Sequence, residues 1–286
     1  MPDDHLPALG YGTSFDAPAT AEDLPNVGSG THDTDHDATR ACVTYALNAG
    51  YRHVDTAEMY ETEAAVGDAL AAADVDREDV FVATKVLPKN LGYDDVLERA
   101  EASAEKLGVD TIDLLYVHWP IRAYDPADTL AAFDDLHDRG LIRHVGLSNF
   151  TPGMLNDARD RLDAPVFAHE VECHPLFQQD ALREYAREHD HYLVAYSPLA
   201  QGRVTEVPEL VEIAEKHDAT PAQVSLAWLL AEDHVAVIPK STSETHIREN
   251  LAARDLSLDP EDVERIDAID RSERQLDFPD APWNQE

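Results

Sequence analysis

Seven short runs of β-branched and aliphatic residues recur along this chain, at 51–54, 80–86, 111–117, 142–147, 166–171, 192–196 and 235–238, with room for a helix between successive runs. That alternation is the pattern of βα units feeding a parallel sheet. An eighth, weaker run lies at 256–258. Helical patterns fill the gaps. Leu130, Phe133 and Leu136 mark one face after Asp128, and Gly140 stands where that helix would stop. Thr220-Pro221-Ala222-Gln223 joins a capping Thr, a Pro suited to the first helical position and a Gln able to complete a capping box. Strand and helix repeated seven or eight times over about 230 residues predict an α/β fold, a single (β/α)8 TIM barrel. A doubly wound sheet would more often carry a Gly-rich turn after its first strand, and no GxGxxG occurs. The 286 residues are expected to form one barrel domain, with residues 15–37 a solvated loop and residues 270–286 a tail over the barrel rim.

Charge narrows the partners. Against 58 acidic residues stand 22 basic ones, a formal net charge of −36, and five of the basic residues are lysines. A phosphate backbone needs a basic footprint, so nucleic acid is not an expected partner, and an anionic membrane surface is disfavoured for the same reason. The acid is spread over predicted helix faces and loops alike, which suits a solvated surface that keeps a protein soluble in salt. The chain is therefore expected to be salt-adapted. Cys42 and Cys173 make neither a disulfide framework nor a zinc spacing, and the cluster His32, Asp33, Asp35, His36 and Asp37 reads as solvated loop, so no metal is expected. Without a basic, apolar leader or a run near the ~20 apolar residues of a membrane span, the expected location is cytoplasmic.

In a barrel, chemistry gathers where strands end. The first run closes on Val54-Asp55-Thr56-Ala57 with Tyr60 beyond, the second on Thr84-Lys85, the third on Val117-His118-Trp119-Pro120. Each residue alone has an ordinary role: Asp55 as a helix cap, Tyr60 as packing, Lys85 as a snorkelling cation, His118 as a core histidine. Four ionisable groups on one rim make a catalytic set the better reading. An ammonium ~4 Å from a phenol favours phenolate by up to ~4 kcal/mol in partly dry surroundings, so Lys85 is expected to lower the Tyr60 pKa. Asp55 would keep Lys85 charged, and His118 would orient a substrate oxygen toward Tyr60.

The run Gly50-Tyr51-Arg52-His53-Val54-Asp55-Thr56-Ala57, followed by Tyr60 and Glu63, resembles the first signature of the aldo-keto reductases. The others come in order. They are Thr84-Lys85-Val86, Asp113 through Pro120, Gly146-Leu147-Ser148-Asn149-Phe150, Val171-Glu172-Cys173-His174-Pro175, Ala195-Tyr196-Ser197-Pro198-Leu199 and Ile238-Pro239-Lys240-Ser241, and the match reaches from Gly10-Tyr11-Gly12-Thr13 to Glu249-Asn250. The resemblance implies hydride transfer from NADPH or NADH to an aldehyde or ketone, with Asp55, Tyr60, Lys85 and His118 as the tetrad. It implies that Ser148, Asn149 and Glu170 meet the nicotinamide carboxamide and that Tyr196 stacks on the ring. Gly12, Thr13, Ser197, Leu199, Lys240, Ser241, His246, Glu249 and Asn250 would surround the rest of the cofactor, and Met59 and Trp119 would wall the substrate with His118. It also implies a monomer acting on a small-molecule carbonyl substrate.

Three positions depart from the family pattern. Glu170 stands where the family usually has glutamine, and an ionised glutamate accepts hydrogen bonds but donates none. His246 replaces an arginine that NADPH-preferring members set against the 2′-phosphate, which predicts use of both cofactors, with Lys240 and Arg248 still at hand. Ser14 replaces a tryptophan, predicting a wider and more polar pocket. Two other classes compete with a reductase. A cofactor-holding regulatory subunit with negligible turnover would keep the same residues. A barrel using Lys85 as a Schiff-base nucleophile needs an uncharged lysine, which Asp55 opposes.

Overall fold

The computed structural model describes residues 5–14 and 35–285; most of the expected loop at 15–37 lies outside them. Eight parallel strands follow one another round a sheet in chain order. They are β1 (Tyr11–Gly12), β2 (His53–Asp55), β3 (Phe81–Val86), β4 (Ile112–Val117), β5 (Ile142–Ser148), β6 (Val166–Glu172), β7 (Tyr192–Tyr196) and β8 (Val235–Val237). A parallel bridge from Leu9 to Val237 joins the last strand to the first, and Gly12 N–H reaches Pro239 O at 3.3 Å. The sheet closes into a (β/α)8 barrel.

Helices α1 (His36–Ala49), α2 (Glu63–Ala72), α3 (Tyr93–Leu107), α4 (Pro126–Asp138), α5 (Pro152–Arg161) and α6 (Asp180–Glu188) each follow one strand. Two follow β7, α7 (Pro208–Lys216) and α8 (Pro221–Leu230), and two follow β8, α9 (Glu244–Ala252) and α10 (Pro260–Asp267). The capping box at Thr220 and Gln223 forms, and Gly140 takes φ +73° just beyond α4. Two expectations need correction. Residues 256–258 are not a strand; Leu256 and Leu258 are half-buried in the link before α10, and the missing stave is β1, whose two residues are too few to show a period. His36 and Asp37 are not loop but the first turn of α1, which Asp35 caps.

Strand periodicity sorts each run between two environments. One set of residues, including Val82, Leu115, Val117, Leu147 and Val237, packs into the layer between sheet and helices. The alternate set, Phe81, Ala83, Leu114, Tyr116, Ala168, Val194 and Ala236, forms a separate core inside the barrel. Gly146 belongs to the inner set because a Cβ there would collide with the ring of Tyr116. Along the same period toward the strand ends, Ala83 leads to Lys85, Tyr116 to His118, Ala168 to Glu170 and Val194 to Tyr196. Each of these inner rows thus climbs from an apolar floor to a polar group at the C-terminal rim.

Candidate active site

Lys85 has no exposed surface, yet it carries a charge. Its ammonium pairs with Asp55 on the neighbouring strand, donates to Thr56 O at 3.0 Å and lies 3.3 Å from Oε2 of Glu170. Burial works against the charged lysine, but Asp55 and Glu170 outweigh it and hold Lys85 above the ordinary lysine range. A neutral, nucleophilic lysine is therefore not available here, which removes the Schiff-base reading.

Tyr60 sits in the short 3-10 turn Glu58–Tyr60 that follows β2. Its ring centroid is 5.4 Å from Lys85 Nζ and 5.6 Å from the edge-on ring of His118. The expected depression of its pKa does not occur. Burial raises the phenol above the ordinary tyrosine value, and the pull of Lys85 is offset by Asp55 and Glu170, which share that ammonium. His118 is pushed well below the usual histidine range, first by burial and then by Lys85, so it is neutral near pH 7.

Above these groups opens a cavity of about 590 Å³. Asp55, Tyr60, His118 and Glu170 reach its inner end, while Met59, Trp119 and Leu276 give it an apolar wall. Ser148 and Asn149, at the end of β5, are buried in its side and interlocked. Ser148 Oγ donates to Glu170 O, Asn149 Nδ2 donates to Ser148 Oγ and to His118 O, each at 3.0 Å, and Tyr196 donates to Asn149 Oδ1 at 2.9 Å. Asn149 holds this place in a left-handed conformation, φ +63°. Gly12, Ser14, Ser197, Leu199, Lys240 and Ser241 continue the lining outward.

Not every residue picked out in the sequence faces this cavity. Thr13 turns away, donating to Asp55 O at 3.1 Å, and so ties β1 to β2. His246, Glu249 and Asn250 belong to α9 outside the lining, with His246 exposed behind the capping Ser243. Arg248 is committed elsewhere, its guanidinium 5.3 Å from the ring of Tyr45.

A rim contact made by Glu172 is absent from the sequence reading. This buried carboxylate, two residues beyond Glu170, accepts from Gln275 N at 2.5 Å and Leu276 N at 2.9 Å. It thereby holds a tail whose Phe278 and Trp283 pack on Trp119, at centroid distances of 4.9 and 5.7 Å. Arg274 lies in the same tail between the rings of Phe177 and Trp283. The period of β6 is the signal for it, since Glu172 shares its face with Glu170.

The groups present fit a nicotinamide dinucleotide. Buried polar atoms line the inner end, where Asp55 Oδ2 has no hydrogen-bond donor among the described residues and Glu170 Oε2 has only its ion pair with Lys85, and Lys240 with two serine hydroxyls lines the outer part. No helix in the described residues is long and apolar enough to cross a membrane.

Comparison with known proteins bears directly on this arrangement. The model of the aldo/keto reductase family matches residues 25–271. An aldo-keto reductase from Mycolicibacterium smegmatis is 38% identical over 252 residues, 88% of this chain and 91% of that protein. A methylglyoxal reductase from Salmonella typhi is 37% identical over 254 residues, 88% of this chain and 95% of its own. A solved aldo/keto reductase from Brucella melitensis superposes with TM-score 0.82 at 35% identity, covering 93% of this chain and 94% of that one. The chain belongs to the aldo/keto reductase family of oxidoreductases.

Proposed function

We propose that this protein reduces small aldehydes, ketones or dicarbonyls with NADPH or NADH, using Tyr60 as the proton donor. The observation that carries the reading is the cluster of Tyr60, Lys85 and His118 at the inner end of the cavity, with Asp55 holding the lysine charged. When bound, the nicotinamide supplies the hydride. Tyr60 gives its proton to the carbonyl oxygen as that oxygen gains negative charge, and the phenolate left behind is stabilised by the adjacent ammonium of Lys85. His118, neutral because it is buried beside Lys85, offers a ring N–H to the same oxygen and aims it at Tyr60. Ser148, Asn149 and Glu170 border the place for the carboxamide, Tyr196 that for the ring, and Lys240 with Ser197 and Ser241 that for phosphate oxygens. Met59, Trp119 and Leu276 exclude water from the reacting carbon.

His246 and Arg248 support use of both cofactors, because an exposed imidazole and a guanidinium laid on Tyr45 replace a free arginine near the adenosine end. The acidic composition supports activity in molar salt inside the cell.

The test is initial-rate oxidation of NADPH and NADH with a panel of aldehydes and dicarbonyls, in dilute buffer and in molar KCl, for wild type and Tyr60→Phe. Turnover by wild type and a loss of about 10²–10⁴-fold in the variant, with cofactor still bound, is the expected result. Tight cofactor binding without turnover would instead favour a regulatory subunit.

A further inference from the structure

Asp55 on β2, Lys85 on β3 and Glu170 on β6 meet inside the barrel, and no side chain of the three is more than 3% exposed. Their formal charges do not cancel, since two carboxylates face one ammonium. The groups around them bring no second cation. Tyr60 after β2 and Tyr116 on β4, both buried, and half-buried Tyr196 on β7 are phenols held above their ordinary range, and His118 just beyond β4 is neutral. From β5 come Ser148 and Asn149, which are uncharged. Arg274 and Glu172 bear on the phenol of Tyr196, whereas Asp55 and Lys85 are the charges that bear on Glu170.

A lone negative charge in such a place is strongly unfavourable, and one proton removes it. The geometry offers that proton a seat. The two carboxyl groups lie within hydrogen-bonding reach of each other; Asp55 Oδ2 has no donor among the described residues, and Glu170 Oε2 meets only the Lys85 ammonium, in an ion pair at 3.3 Å that falls short of a hydrogen bond. Two carboxylates cannot bond to each other; a carboxylic acid and a carboxylate can. Of the pair, Asp55 makes the closer contact with Lys85, so the proton belongs on Glu170.

We propose that Glu170 is a carboxylic acid at neutral pH, sharing its proton with Asp55, and that this proton lets it serve as a neutral, cofactor-positioning hydrogen-bond partner of the nicotinamide carboxamide. The second half rests on the cofactor reading above. With its one proton engaged by Asp55, the acid offers the carboxamide NH₂ an uncharged acceptor oxygen, the acceptor half of the glutamine expected at this position, where a carboxylate would bring a negative charge. The proton also matters for which form of the cofactor is held. The oxidised ring is positively charged and the reduced ring is not, so an ionised Glu170 would draw the site toward the oxidised cofactor.

Infrared spectra of the cofactor-free protein at pH 7 test the proton directly. A protonated-carboxyl stretching band is expected in wild type and absent from E170Q. It is also absent from D55N, in which Glu170 becomes the sole counter-ion of Lys85 and ionises. A wild-type spectrum without the band, or a band that survives in E170Q, overturns the proposal; if E170Q does not fold, wild type and D55N still decide. Quenching of tryptophan fluorescence then gives the Kd of NADP⁺ and of NADPH for wild type and E170Q. The ratio of the two is expected to agree within about twofold, whereas a shift toward the reduced form by about tenfold or more in E170Q means that Glu170 was ionised. Failure of either nucleotide to bind would overturn the cofactor reading and with it the positioning role, leaving the proton itself to the infrared result.

Discussion

Glu172 Oε2 accepts a hydrogen bond from the backbone N–H of Leu276 at 2.9 Å, joining positions 104 residues apart. Its other oxygen takes Gln275 N, so one carboxylate at the end of β6 fixes the segment that walls the cavity with Leu276 and stacks Phe278 on Trp119. Glu172→Gln can keep one of these bonds and sets an NH₂ against the other N–H. The expected cost is about 1–3 kcal/mol. Amide exchange in residues 273–285 should quicken, and KM for apolar aldehydes should rise by more than kcat falls. Unchanged exchange in the tail would refute the clamp.

Burial and the nearby Asp55 raise the carboxyl of Glu170 well above the usual range, and this has a sign in the pH dependence of stability. Above the unfolded carboxyl value of about 4.3, the native state holds a proton that the unfolded chain has lost, so stability falls as pH rises. Glu170→Gln removes that dependence. Its Tm should match wild type near about pH 4 and exceed it by roughly 3–6 °C near about pH 8. Parallel Tm curves would contradict the raised carboxyl.

On the proposed role of Tyr60 as the acid, its raised phenol makes the protonated form persist to higher pH than in a free tyrosine. Carbonyl reduction should stay level from about pH 6 to about pH 10 and fall only beyond that. His118 is already neutral across this window, so His118→Gln should lower kcat/KM by about 10–100-fold without adding or removing a step near neutrality. A pH step near about 6.5 in wild type that vanishes in this variant would show His118 titrating.

His246→Arg places a guanidinium at the exposed first turn of α9. One charge-assisted bond to a 2′-phosphate should move the preference toward NADPH by about tenfold in kcat/KM, mostly through KM. An unaltered ratio would mean that the phosphate lies elsewhere, for instance on Lys240 alone.

Gly146→Ala would drive a methyl into the Tyr116 ring, inside a closed barrel. Overpacking of this kind costs about 1–3 kcal/mol, to be read by denaturant titration. Tyr116 also lies 5.6 Å from Lys85 Nζ, so activity should fall further than in a surface variant of equal stability.

The strand-end residues are legible in the sequence because a parallel barrel turns a linear pattern into a location: where a run of buried aliphatics stops, the next residues stand at the rim. Asp55, Lys85 and His118 are close in space for that reason. The first strand is not legible, since Tyr11 and Gly12 carry no period and gain their place only from partners at Val54, Asp55 and Pro239. The Tyr60 pKa cannot be read from Lys85 alone. The influence of that lysine depends on Glu170, which stands out in the sequence only as a departure from pattern, and on how completely the phenol is buried. The Glu172 clamp depends on a contact across more than a hundred residues, which no local spacing carries.

The bridge from Leu9 to Val237 also imposes an order in time. While a ribosome is still releasing the chain, strands two to seven can curl against their neighbours, but the barrel stays open until Val237 and Pro239 are free to meet residues 9–12. Lys240 and Ser241 lie immediately beyond this seam, so the outer cavity wall that they share with Gly12 is completed by the same event that dries the interior. A nascent chain has no finished pocket, and the cavity exists only in a molecule that has already shut.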